Sequence, residues 1–360
     1  MSATTRKRRK KKKHIPFWLK VIISLLLIII VGGGIAAWRL YHAIYQPNIF
    51  LGERQTTHIF IPTGSTFNDV KAILYQNGMI INTNTFEWLA EKKNYRNNIR
   101  PGRYLIHEDM GNNELINLLR SGQQDPVMLT FNNIRQKEQL AGVLARQIEA
   151  DSLSILKLLN DAEFLHQYGK TPETAKLLFI PNTYEFFWNT SAEQLMTRMH
   201  REYNAFWNEQ RIQKAQAINL TPAEIGTLAS IIQLETSKPD EYARMAGVYI
   251  NRLNRNMKLQ ADPTVIFAVG DFSIRRVLNR HLETDSPYNT YMYAGLPPGP
   301  IALPETRVID GVLNHESHQY LFFCARDDFS GYHAFARTYS QHLANARRYH
   351  QALNRRNIMR

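Results

Sequence analysis

One carboxylate stands out as a candidate for proton transfer: Glu235, near the end of the helical stretch AEIGTLASIIQLET. At 3.6 residues per turn it falls roughly 20° from Leu228 and roughly 60° from Ile232. It therefore shares the stripe that Ile225, Leu228, Ala229 and Ile232 mark as core-facing, while Gln233 points away. A carboxyl held against apolar surface loses hydration of its charged form, so its pKa rises and it keeps a proton near neutrality. A general acid needs that property. The competing reading is a frayed helix end, because Ser237, Lys238 and Pro239 follow, and inward acids also serve structural ion pairs.

The stretch after Glu235 carries groups suited to holding a sugar chain. A second helix is predicted over Tyr242 to Asn256, with Ala243, Ala246, Ile250 and Leu253 at helical spacing and the polar pair Asn251-Arg252 beside them. Next comes Leu259-Gln260-Ala261-Asp262-Pro263-Thr264, in which Pro263 biases Asp262 toward extended backbone. Ser286 to Tyr291 and the stiff loop Gly295 to Ile301 follow, a plain rigid turn being the alternative for the latter. Aromatic faces alternating with amides and hydroxyls match the apolar C–H faces of a glycan and its rim of hydroxyls and acetamides.

Elements that position these groups begin far upstream. Eight basic residues, Arg6 to Lys13, precede eighteen uncharged ones, Val21 to Trp38. A hydrocarbon core asks for about 20 apolar residues, and Phe17, Trp18, Trp38 and Tyr41 suit its interfaces. The basic run should stay in the cytoplasm, sending everything after Trp38 across the membrane. A cleaved signal peptide is the alternative; the long apolar run and the lack of a clear cleavage site argue against it. The formal net charge is +13, of which that basic run supplies eight, leaving +5. The charge is therefore mainly topogenic, and no nucleic-acid partner is expected. Cys324, the single cysteine, sits in an apolar run where a buried thiol is expected, so no internal disulfide is possible. His315 and His318 come closest to a metal pair but read as a polar turn; neither metal nor cofactor is expected.

Thr56 to Pro62 reads as a strand, followed by helices over Phe67 to Asn77 and Thr85 to Lys93. A returning strand at Arg103 to Ile106 and a helix over Asn113 to Ser121 complete a small α+β module. Its layout resembles the LysM-like peptidoglycan-binding region of cell-wall enzymes. Residues 125–219 alternate a strand (Val127 to Phe131) with helical stretches (Gln136 to Ala150, Leu153 to Asn160, Ala192 to Gln210). Among them lies the aromatic FIPNTYEFFW, in which Phe186 and Phe187 are read as core and Tyr184 and Trp188 are left open.

The succession ASIIQLET, VYINRL, LQADPTVIFA, SPYNTY and GLPPGPI resembles the membrane-anchored endolytic murein (peptidoglycan) lytic transglycosylases of bacteria. FIPNTYEFFW and GYHAF add to the likeness, and so does the order of anchor, LysM-like region and catalytic region. The resemblance places the family's single acid on Glu235. Where the family commonly has a second Glu this chain has Gln233, and its usual Asp in the Pro-x-Thr turn is Asn182 here. The implied organisation is a basic cytoplasmic tail (1–14), a transmembrane helix (15–38), a stalk (39–54), a LysM-like module (55–124) and a transglycosylase region (125–360) with its catalytic core at about 221–345. The fold class expected is α+β throughout the extracytoplasmic part.

The implied activity is cleavage of the bond between N-acetylmuramic acid and N-acetylglucosamine at the inner membrane, near nascent strands, with peptidoglycan as substrate and peptidoglycan synthases as further candidate partners. Glu235 would protonate the leaving oxygen, then as carboxylate deprotonate the muramyl C6 hydroxyl, which closes on C1. Asn251, Gln260 and Asn289 are the candidate hydrogen-bonding groups, and Tyr288 and Tyr291 the candidate stacking rings. Asp262 either steadies positive charge at C1 or caps a helix over Thr264 to Val269, with the cap preferred. His333 and Phe335 are candidates for the far wall, with core packing the alternative for Phe335. Two other classes stay open: a wall-binding scaffold without chemistry, and a hydrolase that pairs Glu235 with Asp262.

Overall fold

The computed structural model of the protein describes residues 16–356, so the expected tail and Ile15 lie outside the described residues. The chain divides into two compact units that meet at Asp125 and Pro126.

The first unit opens with α1 (Phe17–Tyr45), none of whose residues is buried. It is long and apolar enough to cross a bilayer. β1 (Thr56–Ile61), α2 (Phe67–Gln76), α3 (Thr83–Lys92), β2 (Gly102–His107) and α4 (Asn112–Ser121) follow. β1 and β2 pair antiparallel with Thr56 opposite His107. α2 starts at a capping box in which Thr66 and Asp69 satisfy each other's backbone, and Asn82 caps α3. The inward residues Ile61, Val70, Leu74, Phe86, Tyr104, Ile106 and Leu115 make its core. The segment read as a stalk is built into this unit. Arg39 to Tyr45 extend α1, and Pro47 and Ile49 bridge to Gly111 and Ile80. Asn48 donates to the Asn82 carbonyl and to Asn112 Oδ1, whose own amide nitrogen donates to Ala43. These three amide contacts tie the segment to α3 and α4.

The second unit begins with β3 (Val127–Thr130), α5 (Lys137–Ala145), α6 (Ser152–Asn160), α7 (Ala162–His166) and β4 (Thr183–Phe186). β4 returns antiparallel to β3, Val127 opposite Phe186. Alternation along β4 buries Tyr184 and Phe186, so the next residue, Phe187, faces out at 55% exposure instead of joining the core. α8 (Ala192–Phe206) and α9 (Glu209–Ala217) replace the single helix expected there, because Asn208 stops one and caps the other by accepting from Arg211 N–H.

α10 (Pro222–Glu235) is the axis of this unit, packed on α11 (Tyr242–Asn254), α12 (Asp262–Val269) and, beyond the short α13 (Asn279–Leu282), on α14 (Thr306–Leu313). Its start carries a Thr221/Glu224 capping box with Pro222 in the first turn. From Ile225 to Ile232 every residue is buried, which is why the stretch is apolar on nearly all sides. Small residues let neighbours close in: a side chain at Gly226 would strike Leu177, and one at Gly247 would strike the Glu316 carbonyl. The hairpin of β5 (Phe322–Ala325) and β6 (His333–Ala336), Phe322 opposite Ala336, leads to α15 (Tyr339–Arg355), which packs on β5. The α+β class read from sequence holds, with two-stranded ribbons set among many helices.

Candidate active site

Glu235 is the last residue of α10, and Thr236 after it is extended, so the carboxyl sits where the helix opens into a cleft. The cleft measures about 310 Å³. Glu235, Arg252, Leu259, Gln260, Asp262 and Tyr291 line it together with Phe322, Phe323, Tyr339 and His342. A larger hollow of about 610 Å³ in the first unit has two acids on its rim, Asp109 and Glu114, both exposed. Size therefore does not single out the chemistry; an enclosed acid does.

Glu235 keeps some exposure along the cleft while its carboxyl is densely surrounded by protein. Burial pushes it up to about 7. The hydroxyl of Tyr249 works the other way, donating to Glu235 Oε1 at 3.1 Å, while the charge of Asp262 raises the value further and that of Arg252 lowers it. The desolvation of one carboxyl against these walls decides the outcome. Tyr249 is 1% exposed on α11, one turn before Arg252, so both reach the same side of that helix.

Arg252, at 7% exposure, is fixed by backbone carbonyls. Nε donates to Leu321 at 2.6 Å, Nη1 to Lys258 and Leu259, and the guanidinium lies over the Phe322 ring. It thus ties α11 to the β5 strand and to the loop before α12, leaving a positive charge in the floor of the cleft.

Asp262 does not cap. Pro263 has no N–H, and Thr264 N–H is bonded to Ala261, so the first turn offers the carboxylate little to accept. It turns into the cleft instead and accepts from Tyr291 Oη at 2.6 Å. Gln260 is held in the left-handed region, φ 50°, by its N–H bond to the Thr290 carbonyl, which aims its amide at the cleft and within 3.4 Å of Arg252.

Four of the seven residues chosen from sequence thus meet: Glu235, Gln260, Asp262 and Tyr291. The other three do not line this cleft. Asn251 donates both amide hydrogens to the carbonyls of His318 and Tyr320. Asn289, at 0% exposure, donates to Leu282 and Thr284 and accepts from Tyr291 N–H, so it shapes the loop that delivers Tyr291. Tyr288 packs on Phe267, ring centroids 4.7 Å apart, at the edge of the core. Gln233 does point away from Glu235, yet into protein, clasping the Leu303 carbonyl and Glu305 N–H. His333 faces the buried Glu241, which accepts from its N–H and ring and from Thr236 Oγ1; Phe335 packs on Tyr320 and Phe323. Glu241 so fixes the residue next to Glu235 against β6.

Sequence reasoning missed Tyr249, Arg252, Phe322, Phe323, Tyr339 and His342. For the first two a signal existed, their spacing of three on a predicted helix beside Glu235. For the rest there was none, because β5 and α15 reach the cleft only through tertiary packing. Among the described residues no group of three or more His, Cys, Asp or Glu side chains is placed to hold a metal.

A family model described as the YceG-like family matches residues 59–348, a span that includes every residue lining this cleft. The chain belongs to the YceG-like family. It is 28% identical over 317 residues to an "Endolytic murein transglycosylase" of Bacillus subtilis (strain 168), covering 84% of this chain and 87% of that protein. A protein of the same name from Streptococcus pneumoniae serotype 2 is 27% identical over 301 residues, 74% of this chain and 53% of the longer relative. A 2.6 Å crystal structure of a yceG-like protein from Listeria monocytogenes aligns with a TM-score of 0.52 and 27% identity, over 81% of this chain and 99% of that one.

Proposed function

We propose that this YceG-like chain is an endolytic peptidoglycan lytic transglycosylase, anchored by α1 with its N-terminus in the cytoplasm and its cleft facing the wall. The observation that carries the reading is the Glu235 carboxyl enclosed by protein in a cleft of about 310 Å³, where burial pushes it up to about 7. Protonated Glu235 donates to the oxygen joining N-acetylmuramic acid to N-acetylglucosamine, and positive charge builds at the muramyl C1. The departing sugar leaves as an alcohol. Glu235, now a carboxylate steadied by Tyr249 Oη, accepts the proton of the muramyl C6 hydroxyl as that oxygen bonds to C1, giving a 1,6-anhydro end. The attacking hydroxyl is on the substrate itself, so the site supplies a ring geometry rather than a water. Asp262, held by Tyr291, faces the developing positive charge, and the ring of Tyr339 offers a sugar-stacking face. The first unit, LysM-like in layout, belongs to the same proposal as a glycan-holding module, and the tether favours strands emerging close to the bilayer.

The test is product analysis. Wild-type protein on intact sacculi should release fragments whose muramyl ends are one water lighter than hydrolytic ones, and Glu235→Gln should release none while its helical content is unchanged. Undiminished anhydro release by that variant refutes the assignment. The second carboxylate in the cleft, Asp262, supports one rival, a two-carboxylate muramidase, which would leave reducing ends.

A further inference from the structure

We infer that the first globular unit does not stand off the bilayer but rests in its outer interfacial layer, with the groove between α1 and α3 filled by lipid. The inference rests on the anchor reading of α1 and adds a surface to it. The uncharged run Val21 to Trp38 covers eighteen residues, about 27 Å of helix, close to a hydrocarbon thickness of about 30 Å. Ala36 therefore lies inside the apolar slab and Arg39 at its border. Ala36, Arg39, Leu40 and Ala43 share a groove of about 420 Å³, almost wholly apolar in its lining, with Asn84, Thr85 and Trp88 of α3. Along α1 that groove runs about 10 Å, reaching from the slab through an interfacial layer of about 5–8 Å. The start of α3 is thus level with the headgroups.

Hydrogen bonds tie the elements that form the groove. Asn112 reaches from α4 to the Ala43 carbonyl and to Thr85 Oγ1, and the Thr85 hydroxyl donates to Asn82. That pairing occupies the polar end of Thr85. Trp88 is 39% exposed and Ile81, at the entry to α3, is 64% exposed. Glu87 does not oppose them, being engaged by Lys71 and Tyr75 on α2. With Trp38, Tyr41 and Tyr45 exposed on α1, Trp88 completes an aromatic belt of the kind that settles at headgroup depth, and Arg39 can lift its charge to the phosphates. Continuity with the span selects lipid over a protein partner.

The test uses the full chain with Cys324→Ala, in nanodiscs of phosphatidylethanolamine and phosphatidylglycerol. Single cysteines replace Ile29, Asn84 or Trp88 and carry an environment-sensitive fluorophore. Labels at 84 and 88 should be shielded from iodide and quenched best by a spin label near the headgroup, and the label at 29 by one deep in the acyl chains. Asn84 is exposed, so its variant folds if Trp88→Cys does not. Iodide access and no lipid quenching at 84 and 88, with 29 quenched, would overturn the inference and spare the anchor. Shielding at 84 and 88 without lipid quenching would overturn it in favour of a second protein copy. No lipid quenching at 29 would sink the anchor and the inference together.

Discussion

Replacing Tyr249 by Phe should move the pH dependence of the reaction upward. Its hydroxyl donates to Glu235 Oε1 at 3.1 Å, a bond that favours the ionised carboxyl. A hydrogen bond to a charged group is worth about 1.5–3 kcal/mol, and 1.36 kcal/mol corresponds to about one pKa unit. The hydroxyl also bonds the neutral acid, so the lower end applies and the pKa rises by about 1 unit. With the wild-type group at about 7, roughly one tenth of the acid is protonated at pH 8. In Tyr249→Phe that fraction becomes roughly one half. The assay is release of soluble fragments from sacculi between pH 5 and 9, each protein scaled to its own low-pH plateau. The plateau itself should drop, because Oε1 loses its anchor, but the alkaline limb should move from near pH 7 to near pH 8. A limb that stays put, or moves to lower pH, would refute the claim that Glu235 delivers its proton under the control of this hydroxyl.

Asp262→Asn should shift the same limb to lower pH, since the charge of Asp262 raises Glu235, and the same assay reads it. Glu235→Gln should stabilise the protein selectively at alkaline pH. With a folded pKa above the ordinary 4.5, the folded state holds the extra proton between 4.5 and about 7, and stability falls as pH rises through that window. Removing the group restores about 1–3 kcal/mol at pH 8 after allowance for partial exposure, and nothing near pH 4, measured as the difference in melting temperature. Asn289→Ala should cost about 2–4 kcal/mol, because two part-buried carbonyls and the Tyr291 N–H lose partners, and it should melt early at every pH. A change confined to KM, with an unchanged melt, would instead mark Asn289 as a sugar contact.

The helices α1 to α6 and α10 to α12, the strands β1 to β3 and the acid were legible because each is written locally. A capping box, a proline or a stripe of apolar residues sits beside what it specifies, and Glu235 lay on such a stripe. β4 was not read as a strand, and so the alternation that turns Phe187 outward was not seen. What was not legible depends on distant partners. Asp262 and Tyr291 are 29 positions apart, and their bond follows from the way Thr290 docks on Ala261 and Thr264. Asn251 and Asn289 look like ligand-binding amides in sequence, yet irregular loops leave backbone carbonyls unpaired, and a buried loop recruits such amides for itself. Polar residues in a loop of that kind are claimed by the backbone before any sugar arrives.

The position of Glu235 at the final residue of a 14-residue helix has a further consequence. Aligned peptide dipoles leave about half a negative charge at that end, which disfavours an anionic side chain by about 0.3–1 kcal/mol. The macrodipole therefore acts in concert with the dry surroundings, adding a fraction of a pKa unit that no lining residue supplies. That fraction is a property of α10 as an element, and it alone persists through changes of sequence around the cleft for as long as the helix ends where it does.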